Sequence, residues 1–191
     1  MRKFLFLCLA LLLPLAACGD DDPVGPERTG SLSFAYSGDA SSTFSVSGEP
    51  KLNSNGHPQN GFAVAGTDDG DVFVAGFRIG QGSKFDLLEI ELEAVTGPRT
   101  ITVCPQPSGS GCPLVVFYLG FNPDGDTSDR RYVLTSGSVT VSAIGAERVR
   151  GSFNGTGILL DPTTGLPNFT RTITISNGQF DAPVRNGFHF D

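Results

Sequence analysis

The stretch Gly61–Phe77, GFAVAGTDDGDVFVAGF, reads nearly the same in either direction about Asp68-Asp69-Gly70. A tight hairpin turn needs left-handed backbone that Asp and Gly tolerate, so an Asp-Gly pair between two runs of small, β-branched and aromatic residues marks a hairpin. Two antiparallel strands are expected there, and the same texture continues in both directions. Ser31–Ser37 (SLSFAYS) places Leu32, Phe34 and Tyr36 on one face, and Thr43–Ser47 repeats the alternation with Phe44 and Val46. Residues Lys51–Gly61 form a polar loop rich in Asn, Pro and Gly. In Phe85–Leu92, Leu88, Ile90 and Leu92 alternate with acidic residues, which favours a strand over a short helix. Arg99–Cys104, Leu114–Phe121, Val133–Ala143 and Arg148–Leu160 follow, the last two with Val139, Val141, Val149 and Phe153 pointing inward. Thr170–Ile175 is expected to turn at Asn177-Gly178 into Phe180 and a last strand.

Roughly ten short strands joined by turn-forming residues, with no convincing amphipathic helix, indicate an all-β chain. A parallel sheet would need crossover helices, so the expected architecture is a single antiparallel β-sandwich or barrel-like domain.

Upstream of the first strand the texture changes. Arg2 and Lys3 precede an apolar run from Phe4 to Leu13, and Leu15-Ala16-Ala17-Cys18 ends it with small residues before a cysteine. The apolar run is shorter than the roughly 20 residues that span a bilayer as a helix. The pattern is similar to the signal and lipobox of bacterial lipoproteins. That resemblance implies removal of residues 1–17, lipidation at Cys18 and anchoring to a membrane in the cell envelope. Gly19 stands where Asp would mark inner-membrane retention in enteric bacteria, so the outer membrane is favoured. Residues 18–30 then read as the lipidated Cys and a flexible acidic tether, and residues 31–191 as the β domain.

Charge and cysteines narrow the function. The 191-residue chain carries −7, and loss of Arg2 and Lys3 with the signal takes it to −9. Such a chain repels nucleic acid and anionic lipid alike, so no nucleic-acid partner is expected. With Cys8 in the signal and Cys18 lipidated, Cys104 and Cys112 remain as an even pair for an oxidising compartment. They bracket a Pro/Ser/Gly string, and we expect a disulfide clamping the ends of a hairpin loop.

The C-terminal third carries SGSVTV (Ser136–Val141), RVRGSFNGTG (Arg148–Gly157) and TITISNGQF (Thr172–Phe180). These segments resemble a group of uncharacterised bacterial lipoproteins with a β-rich domain. The resemblance implies fold and location and carries no activity.

The residue types that perform catalysis are sparse. His57 lies in a polar loop and His189 between Phe188 and Phe190. No G-x-S-x-G elbow or HExxH spacing accompanies them. Glu89, Glu91 and Glu93 alternate as a solvent face would, although one of them could serve in a carboxylate pair. Asn122, Asp124, Asp126 and Asp129 place oxygen ligands at calcium-loop spacing. The glycine stands at the wrong loop position and no Glu closes the loop, so calcium is a weak candidate and no cofactor is expected. Thr67–Asp71 is a weaker candidate of the same kind. Arg130, Arg131, Arg148 and Arg150 form the one basic grouping, read as a solvated face or a docking face for an acidic partner. Asn154 and Asn168 begin glycosylation sequons that a bacterial lipobox makes fortuitous.

The expected role is therefore a lipid-anchored, non-enzymatic envelope module that binds a protein or glycan or contributes structure. Two alternatives stand beside it: a small barrel carrying an apolar ligand, and a carboxylate-based hydrolase.

Overall fold

The computed structural model describes residues 28–54, 57–80, 84–105, 111–121 and 129–185. Cys18, the signal and most of the tether, His189, and the calcium candidates Asn122, Asp124 and Asp126 lie outside these residues. Ten strands follow in chain order: β1 Gly30–Gly38, β2 Ser42–Gly48, β3 Phe62–Asp68, β4 Asp71–Ile79, β5 Phe85–Leu92, β6 Arg99–Thr102, β7 Leu114–Phe121, β8 Arg130–Ile144, β9 Arg148–Leu160 and β10 Pro167–Pro183. All pair antiparallel in one sheet of order β2-β1-β10-β9-β8-β7-β5-β4-β3, with β6 beside β8. No α-helix occurs among the described residues. The sheet curls until β3 meets β1, β2 and β10, giving a nearly closed barrel.

The palindromic stretch forms the β3–β4 hairpin, pairing Phe62 with Phe77 and Asp68 with Asp71. Asp69 (φ 44°) and Gly70 (φ 92°) are both left-handed, as a two-residue type I′ turn requires. Leu32, Phe34 and Tyr36 on β1, Phe44 and Val46 on β2, and Leu88, Ile90 and Leu92 on β5 all point into one core. At its centre Phe34 stacks on Phe44 (ring centroids 4.9 Å apart) and meets Phe117 (5.0 Å) and Phe153 (5.6 Å) edge-on. Such ring pairs add about 0.5–1.5 kcal/mol each beyond area burial.

Two local expectations are corrected. Cys104 and Cys112 are bonded, with Cα atoms 5.7 Å apart, but they do not close a hairpin. β6 pairs with Arg99↔Val141 to Thr102↔Ser138, and β7 with Val116↔Val133 to Leu119↔Arg130. The two run in the same direction along one edge of β8, so the disulfide clips off an excursion between two halves of an interrupted strand. Loop entropy gives this clip roughly 2.5 kcal/mol.

The second correction concerns Asn177-Gly178, which does not turn the chain. β10 runs through it, and Asn177 (φ 54°) absorbs one extra residue where the register with β9 shifts between Ile175 and Gly178. The inward positions change phase there, from Ile173 and Ile175 to Phe180 and Ala182. That is the signature of a β-bulge, which tightens the local twist that a small barrel needs.

Closure is made by side chains and close backbone contact. Arg78 on β4 donates to the Thr43 carbonyl on β2 and lies over the Phe44 ring at 5.0 Å. Beyond β10, Val184 bridges Ala65 of β3 in parallel, and the Arg185 N–H donates to the Ala65 carbonyl at 2.8 Å. Gly30 lies so near β3 that a Cβ would fall 2.0 Å from the Ala63 carbonyl oxygen.

The wall of the barrel has two characters. On β1, β2 and β10 the outward positions are mostly Ser and Thr, such as Ser33, Ser45 and Thr174. On β3, β4, the Phe85–Leu87 end of β5 and the Tyr118–Phe121 end of β7 they are mainly apolar. Ring contacts there run from strand to strand, Phe62–Phe77 at 4.8 Å, Phe77–Phe85 at 5.8 Å, Phe85–Phe121 at 5.0 Å and Tyr118–Phe121 at 5.6 Å.

Candidate functional site

The densest polar constellation gathers where the β1–β2 turn meets the first residues of β8 and the start of β10. Asp39, in that turn, accepts from Arg171 Nε (3.0 Å) and Nη2 (2.8 Å) and from the Tyr132 hydroxyl. Arg130 stands 4.0 Å away. The Asp39 N–H donates to the Thr172 carbonyl at 2.8 Å, so backbone and side chain both tie the turn to β10. Hydrogen bonds from Arg171 and then Tyr132 hold the Asp39 carboxyl below the usual carboxylate range. Burial, and then its bond to Asp39, pushes the Tyr132 phenol up to about 12. Every donor faces a carboxylate that is already satisfied, which describes a clamp between strands rather than an acid–base pair.

The sign of the pH dependence follows from the depressed carboxyl. Asp39 stabilises the fold above its unfolded value near pH 4, and that contribution is lost as pH falls through the lower folded value. Asp39→Asn is expected to lower the melting temperature at pH 7, with the difference from the parent shrinking as pH falls from the unfolded value toward the lowered folded one. Thermal unfolding across pH 2.5–7 reads this directly, and a constant offset at every pH would contradict it.

The basic grouping expected from sequence divides between the two ends of the barrel. Arg130 joins the Asp39 clamp, whereas the Arg131 guanidinium lies 5.5 Å over the Tyr118 ring. Arg148 and Arg150 share the outer face of β9 as expected, and both bond the Asp181 carboxylate, at 2.6 and 3.1 Å. Arg148 also donates to the Thr29 carbonyl at 3.1 Å, fixing the entry of β1. Beside them a shallow, solvent-open depression is lined by Ala143–Arg148 and Arg150.

Glu89, Glu91 and Glu93 face outward as expected, opposite buried Leu88, Ile90 and Leu92. Glu91 is exposed, and Glu93 accepts from the Gly111 N–H at 2.9 Å. Glu89 is half-buried, and burial, reinforced by Glu91, raises its carboxyl. His57 sits in the polar loop, where its N–H donates to Asn53 Oδ1 at 2.9 Å. Of the calcium candidates, Asp129 and the weaker Thr67–Asp71 lie among the described residues, and no three His, Cys, Asp or Glu side chains gather to hold an ion among those residues.

Sequence reasoning missed Asp39, Tyr132 and Arg171, whose partners lie up to 132 positions apart. It also missed the β9–β10 turn and the start of β10, where Leu166 and Phe169 are 65% and 72% exposed. Side-chain oxygens brace this segment. Asp161 Oδ1 accepts from the N–H groups of Thr163 (3.0 Å) and Thr164 (2.9 Å), and Asn168 Oδ1 accepts from the Thr170 N–H at 3.1 Å. No family model matches the chain, and no curated protein or solved structure is detectably similar to it.

Proposed function

We propose that the chain is a lipid-anchored module of the bacterial cell envelope, held through Cys18 on the outer membrane, that acts by binding or structural contact and performs no chemistry of its own. The barrel interior carries this reading. Its centre is filled by Phe34, Phe44, Phe117 and Phe153 in direct ring contact, where a carrier would keep a chamber for its ligand. Among the described residues, no charged or polar residue is buried in that interior. The hydrogen-bonded β9–β10 turn and the start of β10, with Leu166 and Phe169 exposed, have the form of an anchor for a protein or glycan surface.

The test uses the full chain in a Gram-negative host. Lipidated protein is expected in the detergent phase of a phase-separating detergent, with Cys18→Ser moving to the aqueous phase. Aqueous partition of the parent would overturn the anchoring. Native mass spectrometry of the extracted protein is expected to show the lipidated polypeptide mass alone. A retained apolar molecule of a few hundred daltons would overturn the packed-module reading in favour of a carrier.

A further inference from the structure

β2 pairs with β1 from Gly30↔Gly48 to Tyr36↔Ser42, and among the described residues no ladder joins it to β3 or β4 at the far end of the sheet. Of its seven residues only Phe44 and Val46 face the core, the others being Ser, Thr and Gly. A strand with half a ladder and few buried side chains is among the first to open locally. The seam between β2 and the far end of the sheet is shut by contacts of two kinds. Toward one end of β2, Gly48 lies so near Gly61 that a Cβ would fall 2.6 Å from the Gly61 carbonyl oxygen. Toward the other, Arg78 reaches across from β4.

The Arg78 guanidinium is held in place by its neighbours. Asp86, directly opposite on β5, accepts from Arg78 Nε at 3.0 Å and Nη2 at 2.5 Å through one oxygen. Its other oxygen accepts from the Gly120 N–H at 2.9 Å. A bulge in β7 supplies that N–H. Phe85 pairs with Phe121 and Leu87 with Tyr118, so Leu119 and Gly120 both stand opposite Asp86, with Gly120 left-handed at φ 71°. Nη1 of Arg78 then donates to the Thr43 carbonyl on β2, and the guanidinium lies over the Phe44 ring. That ring is stacked on Phe34 at 4.9 Å and meets Phe117 at 6.0 Å. We infer that β2 is a gate over the aromatic centre of the barrel and that Arg78, set by Asp86 and the β7 bulge, is its latch. Opening moves Phe44 off Phe34 and Phe117 and gives a small apolar solute a route to the centre while β8, β9 and β10 stay folded.

Hydrogen exchange of the full chain, followed by peptide mass spectrometry, tests the gate. In Arg78→Gln, peptides covering Ser42–Gly48 are expected to exchange about tenfold faster than in the parent, and those of β9, paired on both sides, within about twofold of it. Equal acceleration of β2 and β9 would make Arg78 a general stabilising contact and overturn the gate, as would unchanged β2. Asp86→Asn keeps the guanidinium but weakens its hold, and a smaller acceleration confined to the same peptides is expected. That variant carries the test if Arg78→Gln does not fold. Arg150→Gln, which breaks an ion pair at the other end of the barrel, is expected to leave β2 exchange unchanged. Acceleration of β2 in that variant would likewise overturn the assignment of the latch to Arg78.

Discussion

Gly137→Ala is expected to destabilise the barrel by roughly 2–6 kcal/mol, since left-handed strain and overpacking cost roughly 1–3 each. Gly137 has φ 118°, a conformation L side chains rarely adopt. Its Cβ would lie 2.0 Å from the Asn154 carbonyl oxygen and 2.4 Å from the Gly155 Cα, both on β9. Neither atom belongs to a side chain that could swing away. Gly137 also follows the register shift between Leu134 and Ser136, and its carbonyl accepts from the Val103 N–H at 3.0 Å. The strain would therefore reach β6 and the disulfide-bounded excursion. Urea unfolding of the full chain measures the loss, with Ser138→Ala, on the outer face next door, as a control expected within about 0.5 kcal/mol. A Gly137→Ala loss as small as the control's would show that the bulge relaxes freely.

Phe117→Ala is the second large effect, expected to cost about 3–5 kcal/mol. The ring is fully buried and meets Phe34 at 5.0 Å, Tyr36 at 5.1 Å and Phe44 at 6.0 Å. Removing it empties the centre of the barrel, and the surrounding strands can collapse only partly because the sheet closes on itself. The measurement also discriminates between functions. A binding module loses the full amount, and the variant gains an enclosed apolar site for a small aromatic such as benzene, read as a rise in melting temperature. A carrier would tolerate the truncation with a loss below about 1 kcal/mol, since its interior would already be open.

The strands were legible because each keeps its inward residues in one phase. The β3–β4 hairpin could be read from Asp69-Gly70, and β1, β2 and β5 from period-two alternation. The bulge in β10 was legible in principle and misread. Asn-Gly signals a turn locally, but odd inward positions at Ile173 and Ile175 followed by even ones at Phe180 and Ala182 can come from a continuous strand with one extra residue. The arrangement of β6 and β7 was not legible, because a Pro/Ser/Gly string between two strands looks the same in a hairpin and in an excursion. Closure was equally hidden, since it rests on Arg78 and Arg185 reaching across strands distant in sequence. The Arg130–Arg131 and Arg148–Arg150 pairs look like one basic patch in the chain and become two ends of a barrel in space. The apolar wall, by contrast, was written in FAVAG and VFVAGF, where consecutive residues are apolar and both faces of a strand must be covered.

β1 finds its partner in β10, with Ser31 opposite Asp181, 150 positions later. A chain that emerges amino end first therefore exposes Leu32, Phe34 and Tyr36 long before the strand that shelters them exists. Loop closure over that separation is slow, and the β1–β2 hairpin alone is marginal in water. Closure of the barrel is accordingly expected only once nearly the whole chain is present. The same delay leaves an aromatic, strand-forming segment without its final cover while the chain is incomplete.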